Sequence, residues 1–74
     1  MLENGADVNA ADEDGHTALM FAAMNNTNPE VTVILLKNGA NMGDIDENGR
    51  TALILAVMNN NPEIVAVLLK NGAN

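Results

Sequence analysis

The 74-residue chain sets ten acidic residues against Lys37, Arg50 and Lys70, a net charge of −7, and is 47% hydrophobic with no cysteine. That length allows one small domain with a barely sufficient core. The charge excludes a nucleic-acid or anionic-membrane surface, and the missing thiols exclude disulfides and thiolate zinc sites.

Residues 1–10, MLENGADVNA, hold neither a basic region nor an apolar run. They are therefore not a signal peptide, and nowhere does an apolar stretch approach the ~18–20 residues of a membrane span. A cytoplasmic location is expected. LENGADVNAA (2–11) shares its opening Leu-x-Asn-Gly-Ala with LKNGANMGDI (36–45), and reads as the tail of an earlier unit. DEDGHTALMFAAMNN (12–26) returns as DENGRTALILAVMNN (46–60), and NPEVTVILLKNGAN (28–41) returns as NPEIVAVLLKNGAN (61–74), so Thr27 is a one-residue insertion in the first copy. A fixed period of this size marks a repeat protein.

Each copy predicts two helices. Thr17 and Thr51 can cap the first, over ALMFAAM and ALILAVM, because a threonine oxygen accepts from the orphan N–H groups of a first turn. Ala18, Ala22, Ala23, Ala52 and Ala56 leave room for a close neighbour. Asn25-Asn26 and Asn59-Asn60 end these helices, since asparagine tolerates the left-handed conformation. The second helix opens at Asn-Pro-Glu. Asn28 and Asn61 cap it, Pro29 and Pro62 sit where a missing N–H does no harm, and Glu30 and Glu63 suit the positive end of the dipole. Val31, Ile34 and Leu35, with Ile64, Val67 and Leu68, have the spacing of one buried face, and Thr32 falls on the polar side. Lys37 and Lys70 suit the negative end, and Gly39 and Gly72 supply a left-handed stop. Helices of ~8–10 residues are unstable alone in water, so stacking has to hold them.

These features resemble the ankyrin repeat. The likeness rests on the period, the Asp-x-x-Gly-x-Thr turns (Asp12, Gly15, Thr17; Asp46, Gly49, Thr51), Leu19 and Leu53, and the LLKNGAN and LENGADVNA segments. It implies an all-α solenoid of stacked antiparallel helix pairs with β-hairpin-like loops. The chain is then one domain: a partial repeat (1–11), a full repeat (12–45) and a second repeat truncated at its end (46–74). Thr-Ala-Leu-Met (17–20) and Thr-Ala-Leu-Ile (51–54) depart from the family's Thr-Pro-Leu-His, which weakens the hydrogen bonding between turns. Gly43, standing where the first segment has Asn9, loses a side chain that could bond within its turn. Family members mostly bind proteins through the loop tips and the concave face, and few are enzymes.

The stretch Asp44, Asp46, Asn48, Gly49 has the spacing of a calcium loop, but its twelfth position is Leu55 rather than a bidentate acid, so turn chemistry is expected instead. Asp7, Asp12, Glu13, Asp14, Asp44, Asp46 and Glu47 lie on loops along one edge. They make either a solvated margin or a strip that steers a neutral or basic partner. His16 and Arg50 occupy matching loop positions and are expected to face solvent. Met20 suits the core, whereas Met24 and Met58 suit the groove. The candidate partner-binding set is Glu13, Asp14, His16, Met24, Asn25, Glu47, Asn48, Arg50, Met58 and Asn59. No catalytic, cofactor or metal residue is expected. The alternative reading is structural. The chain begins in a last helical turn and neither end is polar, so it is cut from a longer array or its ends stack into dimers without a groove ligand.

Overall fold

The computed structural model describes residues 7–25 and 28–72. The helix-ending role expected of Asn26, the inserted Thr27, the remnant's residues 1–6 and the closing Ala73 and Asn74 lie outside the described residues. Four helices follow in chain order: α1 (Ala18–Met24), α2 (Pro29–Lys37), α3 (Ala52–Met58) and α4 (Pro62–Lys70), with no strand among the described residues.

Local chemistry places the ends of all four. The Thr17 and Thr51 hydroxyls accept from the N–H groups of Met20 (3.4 Å) and Ile54 (3.3 Å). The Asn28 and Asn61 carboxamide oxygens accept from Glu30 (2.9 Å) and Ile64 (3.4 Å), and proline opens α2 and α4. Each helix closes on an asparagine whose side-chain amide donates to the carbonyl four residues back: Asn25 to Phe21, Asn38 to Ile34, Asn59 to Leu55 and Asn71 to Val67. Each of those carbonyls also accepts from the same asparagine's backbone N–H, so one residue fastens the last turn twice. Asn60 (φ 53°) and the glycines at 39 and 72 take the expected left-handed conformation.

Within each copy the two helices pack on one another, and between copies α1 packs on α3 and α2 on α4. Leu19, Met20, Ala23, Ala52, Leu55, Ala56, Ile64 and Leu68 form the core of this two-layer stack. Full burial of a leucine or isoleucine contributes ~1.5–3 kcal/mol. The alanines on α1 and α3 contribute closeness rather than area.

Two expectations fail for one reason. Ile64 is fully buried, yet Val31 at the equivalent position is 39% exposed, and Ile34 is also exposed. Copy two has α2 to cover that side, and no described helix covers it in copy one. Conversely Thr32, expected on the polar side, is completely buried because α4 lies over it, and its hydroxyl has no hydrogen-bond partner. The second copy carries Val65 at this position. Thr32→Val is expected to stabilise the fold by about 1–2 kcal/mol, read from urea denaturation, because it removes an unsatisfied buried hydroxyl.

Asn9 also acts differently from expectation. Its carboxamide does not serve its own turn but crosses to the following unit, donating to Gly39 O (3.0 Å) and accepting from Asn41 N (2.6 Å). Gly43, in the corresponding place one unit on, has no side chain to repeat this clamp.

Candidate functional site

The loops before α1 and α3 are built alike. Asp12 Oδ1 accepts from the N–H groups of Asp14 and His16 (both 2.9 Å), and Asp46 Oδ1 from those of Asn48 (2.8 Å) and Arg50 (2.9 Å). Backbone bonds close each loop, from Asp12 N to His16 O and from Asp46 N to Arg50 O. The apparent calcium spacing is therefore turn scaffolding: the oxygen of Asp46 is aimed at its own loop's N–H groups, and Leu55 lies in the core. Asp12, Asp14 and His16 offer ligand atoms within 4.8 Å of one another, but Asp12 is engaged in the same way.

The two tips are locked together. Glu47 N donates to Asp14 O (3.0 Å), and His16 Nε2 lies 3.3 Å from Asp46 Oδ2, which Arg50 Nε also approaches at 3.4 Å. The Asp46 side chain is thereby wholly shielded, while its counterpart Asp12 is 41% exposed. Gly15 makes this approach feasible: it has φ +81°, and a Cβ there would meet Asp46 Cα at 3.0 Å.

Electrostatics differ on the two sides of the joint. The Arg50 N–H holds the Asp46 carboxyl below its ordinary 3.8; the Asn48 N–H and the Arg50 guanidinium add to this, and burial opposes it. Glu47 is pushed above its usual 4.5, first by a hydrogen bond with the Asp14 carboxyl and then by that group's charge. The signs are opposite. A depressed Asp46 stabilises the fold at every pH above its ordinary value, and that contribution is lost as pH falls through the lower folded value. A raised Glu47 opposes the fold once pH exceeds its folded value. Glu47→Gln is therefore expected to raise Tm at neutral pH, and Asp46→Asn to lower it. Both differences should shrink in strong acid, which thermal melts across pH would check.

The placement of the candidate residues follows from this frame. Glu13, Asp14, Glu47 and Asn48 are exposed at the tips, whereas Asp46 is withdrawn from the acidic edge. His16 and Arg50 do not stand free in solvent: their side chains are 18% and 33% exposed and tied to Asp46. The His16 ring also tilts against Phe21, with centroids 5.5 Å apart. Arg50 leans back over α3, and its Nη1 donates to Met58 Sδ (3.8 Å), so this tip and helix end form one patch. Met24 is half-buried against the core and Met58 is exposed. Asn25 and Asn59 are exposed but hold their helix ends. Met20 lies in the core as expected. Sequence reasoning passed over Asp46 as the anchor of both tips, although an aspartate recurring ahead of each Gly-x-Thr marks that role.

No helix among the described residues is long and apolar enough to cross a membrane. A family profile described as ankyrin repeats in three copies matches residues 1–74. No curated protein matches the sequence. Among solved structures, the chain is similar to the immunity protein in the complex of the Bd0816 predatory endopeptidase from Bdellovibrio bacteriovorus with immunity protein Bd3460. The TM-score is 0.90 at 39% identity, covering 96% of this chain and 36% of that one. The present chain thus spans about a third of its neighbour's length.

Proposed function

Because the chain belongs to the ankyrin-repeat family, whose repeats are protein–protein interaction modules, we propose that it is a non-catalytic module that holds a protein partner. The contact surface runs from the stacked tips onto the ends of α1 and α3. Glu13, Asp14, Glu47 and Asn48 offer charge and acceptors, and Met24 and Met58 give adaptable apolar contact. Asn25, Asn59 and Arg50 rim this strip, while His16 positions the tips rather than touching the partner. The observation that carries this reading is the interlocking of the two loops, which presents acidic groups at fixed spacing beside the exposed Met58. A preformed surface loses little ordering entropy on binding. The immunity protein similar to this chain is itself found in complex with an endopeptidase, which supports a folded protein as the partner class.

The acidic strip favours a neutral or basic partner surface. Cross-linking capture with the intact chain should recover a partner whose affinity falls as salt rises, since screening weakens the attraction. Met58→Ala combined with Glu47→Ala should reduce that affinity about tenfold or more, the loss of ~1.4 kcal/mol or more. A captured partner that is indifferent to both changes, or that binds more tightly in high salt, would contradict the proposal.

A further inference from the structure

Asn4, Asn38, Asn48 and Asn71 each stand directly before a glycine. In that dipeptide an asparagine loses its side-chain amide most readily, because glycine, lacking a Cβ, leaves its backbone nitrogen unshielded to attack the preceding side chain. Asn4 lies outside the described residues. The other three differ in what holds the carboxamide. Asn38 and Asn71 close α2 and α4, and their side-chain nitrogens donate to Ile34 O and Val67 O (both 2.8 Å). Asn48 is exposed on the second loop tip, and its carboxamide makes no hydrogen bond among the described residues. Only its backbone N–H is engaged, to Asp46 Oδ1 (2.8 Å). The glycine N–H groups do not separate the three sites. Gly39, Gly49 and Gly72 each donate to the carbonyl three residues back, at 3.1, 2.9 and 3.1 Å.

We propose that Asn48 is a site of spontaneous covalent modification, deamidating through a cyclic imide ahead of Asn38 and Asn71. The Gly49 nitrogen gives up its proton to a solvent base and bonds to Asn48 Cγ. The bond from Cγ to the side-chain nitrogen breaks, and that nitrogen leaves with a solvent proton as ammonia. Water then opens the imide at either carbonyl. Opening on one side leaves an aspartate in the normal main chain. Opening on the other routes the main chain through the side-chain carbon, as isoaspartate. One water is consumed and one ammonia released, with no change of oxidation state. A Cβ on Gly49 would meet nothing within 4 Å, so no neighbour crowds that backbone as the ring closes.

The two products act differently on the tip. Copy one already carries an aspartate at the matching position, Asp14 within Asp-Glu-Asp-Gly. The normal product converts the second tip, Asp-Glu-Asn-Gly, to that same turn and adds one negative charge to the strip. Its backbone is unchanged, so Asp46 Oδ1 keeps both of its N–H groups. Isoaspartate instead adds a carbon to the main chain between those two groups, the N–H of position 48 and that of Arg50. The normal spacing is what lets one oxygen accept both, so the Arg50 N–H is drawn off Asp46. The reaction runs one way and leaves a tip that is more acidic or less anchored. It needs no partner, and it stands whether or not the tips form a contact surface.

Ageing the intact chain in mildly alkaline buffer, with peptide mass mapping over time, tests this. The peptide carrying Asn48 should show the mass change of amide to acid first. Those carrying Asn38 and Asn71 should lag by about three- to tenfold, the effect of one hydrogen bond that must break beforehand. In urea, where those bonds are gone, the three rates should converge. Asn48→Gln should remove the early event and leave the two slow ones. Asn48→Asp reproduces the normal product and should keep hydrogen exchange at the Arg50 N–H as slow as in the unaged chain, whereas the isoaspartate fraction of the aged chain should exchange faster there. Asn38 or Asn71 reacting as fast as Asn48 in the folded chain, an unreactive Asn48, or a preference that survives in urea would overturn the proposal. Unchanged exchange at Arg50 in the isoaspartate fraction would overturn the loss of anchoring.

Discussion

Ile64→Ala is expected to destabilise the fold by about 2–4 kcal/mol, the cost of deleting a fully buried aliphatic side chain and leaving a cavity. Val31→Ala, at the same position of the preceding copy, should cost below about 1 kcal/mol because that side chain is already partly in water. Ile34→Ala removes the same atoms as Ile64→Ala from an exposed site and controls for chemistry. A domain of this size has roughly 4–11 kcal/mol of total stability, so the Ile64 change should lower the urea midpoint severely. Equal losses at positions 31 and 64 would mean that burial by α2 is not what distinguishes them.

The second large effect lies at the loop joint. Gly15 and Gly49 match in sequence, and both have positive φ, +81° and +76°. Alanine at either position incurs the left-handed penalty of ~1–2 kcal/mol. At Gly49 nothing lies within 4 Å of the added carbon, so the loss should end there. At Gly15 the new carbon would also press on the backbone of Asp46 and Glu47 at 3.0–3.2 Å, which cannot yield as a flexible side chain would. A further ~1–3 kcal/mol is expected from that overpacking. The joint should open as well, releasing the Glu47 N–H from Asp14 O, so faster hydrogen exchange at Glu47 in Gly15→Ala but not in Gly49→Ala is the specific sign. Indistinguishable stabilities for the two variants would contradict the close approach.

Features governed by neighbours in sequence were legible from the sequence. Thr17, Thr51, Asn28 and Asn61 cap the helices they precede, Pro29 and Pro62 open theirs, and the left-handed glycines close them. Features governed by the adjoining unit were not. Val31 and Ile64 have the same local pattern but opposite exposure, because burial in a stack depends on what lies on each side. Thr32 looked polar by composition, and only its alignment with Val65 hinted at a covered site. In the binding strip, Met24 and Met58 looked equivalent, and Arg50 looked as free as any loop arginine. A carboxylate hidden between tips, which captures both His16 and Arg50, is a contact across units that periodicity alone does not encode.

The change from Asn9 to Gly43 has a mechanical consequence. One margin of the molecule is stitched across units by a carboxamide that grips two backbone groups. One step later that stitch is gone, while the acidic tips remain fastened through Glu47 and Asp14. Between the two copies that margin therefore relies on the side-chain packing of α2 against α4, whose contacts at Thr32, Ile64 and Leu68 are fully buried. Cohesion there is undirected, whereas at the tips a hydrogen bond sets the angle.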